Sequence, residues 1–284
     1  MKKGGCSAIK SPGVASVVGL CDLVHASQTN SQLLLLVMSP PPLHALQDVR
    51  QFLAGCDDHR PPSMTLWGKL PVEPVRKTAL LRVIEAMLTV TDALEHHLHG
   101  SPPPIALADI INARNDAQYL LLCLPPAFPA DIPTLSDSKA LNEHIYEILR
   151  IALRIYSNLV LFPMDPAGGT SRILAAALKE AMIRCGRTCL VQSLPKSCLQ
   201  PLLWALMLGG LQSDDGILGA ESERVWYLER FGTFSQLTGI RTWEQVIASH
   251  SAIMWSDLVL TVAAFEFWSH SDGRTVQFEE DGLD

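Results

Sequence analysis

Prolines cut this chain into apolar segments whose internal spacing is helical. Ser39-Pro40-Pro41-Pro42, Ser101-Pro102-Pro103-Pro104 and Pro125-Pro126 each close such a segment. Proline lacks the backbone donor and clashes with the preceding turn, so a helix cannot run through a cluster of them. Between the clusters, Leu43, Leu46, Val49 and Leu53 predict a helix over Leu43 to Cys56. Leu80, Leu81, Ile84, Leu88 and Thr91 predict a second over Thr78 to His99, ended by Gly100. Both follow the 3.6-residue period. A half-buried strand needs strict apolar/polar alternation, and no useful stretch of it precedes Thr275 to Phe278. The expected fold is all-α.

The remaining elements follow from caps and breakers. Ala106 to Leu124 reads as a helix, and Ser136 and Asp137 supply cap oxygens for a long one from Lys139 to Phe162. The stripe of the latter is Leu141, Ile145, Ile148, Leu149, Ala152, Ile155, Tyr156 and Leu159, and Pro163 breaks it. Ser171 to Cys185 is expected to be helical with Gly186 as its end. Pro201 suits the first turn of a very apolar helix running to Gly209-Gly210. Glu221 to Phe231 is a further helix. Thr242 and Gln245 form a capping box, and the helix they start is expected to continue toward Trp268. Residues 1–28 read as a loosely ordered tail, Asp57 to Pro62 as a loop, and residues 29–284 as one multi-helix domain with an apolar, Trp-rich core.

Composition narrows the function. The 284 residues have a net charge of −7 and only 22 Lys and Arg, without a basic run. Direct nucleic-acid binding rests on clustered cations and is not expected. Seven scattered cysteines without a Cys-x-x-Cys pair indicate reduced thiols in an intracellular protein, cytoplasmic or nuclear, and no zinc module. Apolar runs such as Leu33 to Met38 fall short of the ~18 residues of a membrane helix. The mean hydropathy of +0.19 therefore points to a large core.

Five of the six tryptophans lie in the last third, at Trp204, Trp226, Trp243, Trp255 and Trp268. They mark Pro201 to Gly210, Glu223 to Leu228, Thr242 to Glu244 and Trp255-Ser256-Asp257. With the run Glu147 to Pro163, these blocks resemble, in order, the fungal-specific transcription factor domain, the helical regulatory half of fungal zinc-cluster proteins. The resemblance covers roughly residues 135–270 and implies a helical regulatory module in fungal secondary metabolism. The family's DNA-reading zinc module, six Cys with basic residues between, has no counterpart in this sequence, and the family's final acidic–glycine–basic–aromatic signature is eroded.

Candidate site residues follow. Trp204, Trp226, Trp243 and Trp255, with Tyr156, are candidates to line an apolar ligand pocket, because such pockets are apolar with a few polar groups. The same aromatics also serve as plain core. Asp257 and Glu266 are expected in apolar surroundings, where a carboxyl with raised pKa can act as an acid. Asp92, His96 and His99 share a helix face by spacing, which suits a metal or acid–base site or a helix end favourable to histidine. Gly168-Gly169-Thr170-Ser171 lacks a P-loop's Lys and spacing, and a helix start is the better reading. Nothing requires a cofactor or a metal.

Two functions fit. One is a transcription-factor-like protein that binds a small apolar metabolite or another regulator protein. The other is a repurposed cofactor-free enzyme, a cyclase, isomerase or cycloaddition catalyst that folds a terpenoid or polyketide substrate by orientation alone.

Overall fold

Every residue from Pro201 to Gly210 is buried, and the rest of the fold is arranged around that segment. The computed structural model describes residues 26, 43–56, 64–127, 137–163, 170–188, 194–213 and 221–271. These form α1 (His44–Ala54), α2 (Thr65–Gly68), α3 (Pro74–Leu98), α4 (Leu107–Leu122), α5 (Asp137–Tyr156), α6 (Thr170–Thr188), α7 (Lys196–Gln212), α8 (Glu221–Thr238), α9 (Trp243–Ser251) and α10 (Asp257–Ser271). No strand occurs among the described residues, so they are all-helical. The expected tail over 1–28 (Ala26 excepted), the loop after Cys56, the Gly168-Gly169 turn and the Thr275 to Phe278 segment lie outside the described residues.

α7 packs on α5, α6, α8, α9 and α10, while α1, α3 and α4 pack on one another. One continuous apolar core links both groups, from Leu46 to Phe267. Leu46, Val49 and Leu53 of α1 are buried as their spacing predicts. α3 begins four residues before its expected start, with Pro74 in its first turn and the Glu73 carboxylate accepting the Arg76 amide at 3.1 Å. α5 passes into a π-helical turn at Ser157–Leu161 before Pro163.

Ion pairs brace the long helix α5, one within it and one to α3. Glu147 accepts two bonds from Arg150, at 2.9 and 2.7 Å, and the Ala127 amide at 3.0 Å. Burial raises the Glu147 carboxyl, but the Arg150 hydrogen bonds and charge outweigh it and hold it below its ordinary value. Arg76 of α3 pairs with Glu143 and donates to the Ala127 carbonyl.

Four boundary expectations are corrected. Pro201 lies inside α7 rather than in its first turn, since the helix starts at Lys196. Gly209 and Gly210 do not end α7; they admit aromatic rings. A Cβ on Gly209 would sit 2.3 Å from the Tyr227 ring, and one on Gly210 would sit 2.1 Å from the Phe267 ring. Gly186 does not end α6, which runs to Thr188. The helix begun by the Thr242–Gln245 capping box does not reach Trp268: it stops at Ser251, and α10 starts anew at Asp257.

The break between α9 and α10 has a physical cause. The carbonyl of Ile253 accepts the Trp67 indole at 3.4 Å, and that of Met254 accepts the Trp204 indole at 2.7 Å. These carbonyls serve side chains of α2 and α7 instead of a helical ladder. Glu95 of α3 then accepts the Asp257 amide at 2.9 Å, satisfying one free donor at the start of α10.

Candidate functional site: an apolar cavity beside Trp226

Tyr227 draws α8 onto α7. Its ring occupies the space left by Gly209, and its hydroxyl crosses α7 to donate to the Ala175 carbonyl of α6 at 2.7 Å. Along the same three helices, α6, α7 and α8 enclose a cavity of about 310 Å³. Its wall is built from Met182 and Cys185 of α6, Leu202 and Leu206 of α7, and Trp226 and Phe234 of α8. Arg230 and Thr233, both solvent-exposed, also line it, so these polar side chains sit where the cavity meets water.

Two cations lie beside the Trp226 ring of this wall. The Lys179 ammonium lies 5.7 Å and the Arg230 guanidinium 5.9 Å from the centre of the Trp226 ring. Both distances are in the range of cation–π attraction. Among the described residues neither cation has a carboxylate partner. Among the described lining residues there is no carboxylate and no imidazole.

The sequence candidates separate into three environments. Trp226 alone lines the cavity. Trp204 and Tyr156 are fully buried in the closed core, tilted on one another with ring centres 6.0 Å apart. Trp67, the tryptophan outside the C-terminal set, meets Trp204 edge-on at 6.0 Å, and Tyr156 shares a 3.0 Å hydrogen bond with Thr91. Trp255 is buried edge-on to His250, 5.5 Å away. Trp243 is half-buried against Phe265 and Trp268 on the α9–α10 flank. The five expected ligand-binding aromatics therefore do not share one pocket.

The expected burial of Asp257 and Glu266 is corrected: both side chains are exposed. Asp257 stands at the first turn of α10, and Glu266 lies on the outer side of the same helix while Phe267 next to it faces the core. Burial acts instead on Asp92 of α3, whose carboxyl is pushed up to about 7 by loss of solvent and by the neighbouring Glu95. Of the histidines near it, His96 and His97 clasp the following turn and His99 bonds back to α3. His96 donates to the Pro103 carbonyl at 2.8 Å, His97 to that of Ile105 at 3.1 Å, and His99 to that of Glu95 at 2.8 Å. Among the described residues no group of His, Cys, Asp or Glu is arranged to hold a metal ion.

His250 was not singled out by sequence. It is fully buried, donates from Nδ1 to the Val246 carbonyl at 2.8 Å, and is held to about 4 by loss of solvent. It is a neutral core imidazole between Phe231 and Trp255. Lys179 and Arg230 do not stand out in the sequence; the signal for Arg230 is its position one helical turn after Trp226. A second hollow of about 500 Å³ lies beside Ser235, Gln236, Arg241 and Trp268 and has a mixed, more polar wall. Among the described residues, no helix is long and apolar enough to cross a membrane. No family model, curated protein or solved structure matches the chain.

Proposed function

We propose that this chain is a regulator-like helical protein that takes a small apolar metabolite into the cavity between α6, α7 and α8. The observation that carries the reading is the cavity itself: about 310 Å³, apolar within, with its polar groups at the mouth. That combination is the ordinary form of a small-molecule site. Its volume lies near the lower end of the usual range of roughly 300–1,000 Å³, which favours a compact ligand. The order of the Trp-bearing segments supports a place among helical regulators of fungal secondary metabolism.

Calorimetric titration of the full chain with 1-decanol tests the binding. Saturable heat is expected, and it should vanish in Thr233→Trp, which fills the mouth from an exposed position. Decanol binding that survives this variant would place the ligand elsewhere. The regulatory role is tested by transcript counts in a deletion strain; unchanged counts would remove it.

A second reading has one observation in its favour. The described cavity wall holds no carboxylate or imidazole and is mostly apolar, which suits a reaction that works by shaping the substrate. A cyclase, isomerase or cycloaddition catalyst fits that restriction. Accumulation of an uncyclised intermediate in the deletion strain would select this reading over the first.

A further inference from the structure

The mouth of the cavity carries a charge pattern that an uncharged ligand would not use. The chain as a whole is acidic, at −7, yet two cations, Lys179 and Arg230, lie beside the Trp226 ring. Two other surface arginines are paired with carboxylates: Arg50 with Glu85, and Arg184 with Glu180. Lys179 and Arg230 have no such carboxylate among the described residues. Arg230 belongs to the cavity wall, one helical turn from Trp226, and its guanidinium keeps its hydrogen-bond donors available at the boundary between apolar wall and water. Leu202, Leu206 and Phe234 supply the apolar depth behind it.

We propose that the cavity binds an amphipathic carboxylate, a single carboxylate on a compact apolar body, with the carboxylate held by Arg230 at the mouth and the body seated against Leu202, Leu206 and Phe234. This inference rests on the cavity being a binding site and adds the chemical class of the ligand. The planar guanidinium matches a carboxylate in two parallel hydrogen bonds, which fixes the headgroup's orientation. Lys179 adds a second positive charge near the indole. It strengthens the field without the same geometry.

The test compares sodium decanoate with 1-decanol on the full chain by calorimetry, below the micellar range. Decanoate is expected to bind roughly tenfold more tightly than decanol, as a charge-assisted headgroup contact provides. Arg230→Met retains an apolar stem and should abolish that preference, so that the variant binds decanoate no more tightly than decanol. Lys179→Met should reduce it by a smaller factor. The decanoate preference should also shrink as salt rises, since the mouth is open to solvent. Equal affinities for decanoate and decanol, both lost in Thr233→Trp, would overturn the carboxylate inference and leave the apolar site standing. A decanoate preference that persists in Arg230→Met would also overturn it. Binding of neither probe would overturn both the inference and the site on which it rests.

Discussion

Trp204 and Trp226 stand on adjacent helices and do opposite things. Trp204 is sealed: Trp67 and Tyr156 lie against its faces and edge, and its indole N–H is spent on the Met254 carbonyl. Trp226 is half-buried, with one side on the cavity and two cations near its ring. The difference comes from what the neighbouring helices place opposite each ring. A buried indole whose donor is satisfied and whose surface is covered contributes stability. An indole left partly uncovered beside a cavity is available to a ligand.

The largest expected effect falls on the sealed side. Trp204→Ala removes a fully buried indole and leaves the Met254 carbonyl unpaired, so it should cost ~3–5 kcal/mol in urea unfolding. If Trp226→Ala proved equally costly, the contrast between the two rings would fail. Because α2 and α7 grip consecutive carbonyls, the Trp67→Phe and Trp204→Phe changes should also couple in a double-mutant cycle.

Acid should damage the sealed side next. His250 has an ordinary value of 6.5 and a folded value of about 4. Below pH 6.5 the unfolded chain takes up a proton that the folded core refuses. Stability is therefore full above that pH and is lost as pH falls toward about 4, by about 3 kcal/mol from this group. Unfolding curves of wild type and His250→Gln between pH 7 and 4.5 isolate it, because the variant should lack that slope. Asp92 works in the other sense. Its folded value of about 7 lies above the ordinary 3.8, so its contribution is fully present below that lower value and is lost as pH rises toward about 7. Asp92→Asn should remove this loss, gaining on wild type at pH 8 relative to pH 5.

Gly209→Ala connects the two regions. The added methyl would overlap the Tyr227 ring and push α8 from α7, costing about 1–2 kcal/mol after the gain in helix propensity. It should weaken decanol binding as well, since the same two helices form the cavity wall. Trp226→Phe is the mildest change. A loss below about 1 kcal/mol in stability is expected, with a measurable drop in decanoate affinity. The reverse result, a large stability loss with unchanged binding, would make Trp226 another core residue.

The sequence carried the helices with unequal clarity. α1 and α3 were legible because their stripes repeat with the helical period and prolines or Gly100 mark their ends. α7 was legible as a helix but not in its extent. Gly209 and Gly210 look like a terminus locally, and only the rings of Tyr227 and Phe267, from α8 and α10, explain two glycines within it. The split between α9 and α10 was hidden for the same reason, since it depends on indoles donated from Trp67 and Trp204. Among the candidate site residues, composition could gather the tryptophans but could not say which of them faced an empty space. Flanking phenylalanines made Glu266 look buried, although a helix turns adjacent residues to different sides. Asp92 of α3 took the buried role instead.

The sequence by itself thus determined the all-helical class, the apolar core and the stops between helices, since periodicity, caps and prolines act over a few residues. Tertiary structure decided which aromatics seal the core, which one borders the cavity, and where Lys179 and Arg230 come to flank it. Those outcomes depend on contacts between residues about 50 to 190 positions apart, as in Tyr227 with Ala175 and Trp67 with Ile253, which no local pattern encodes.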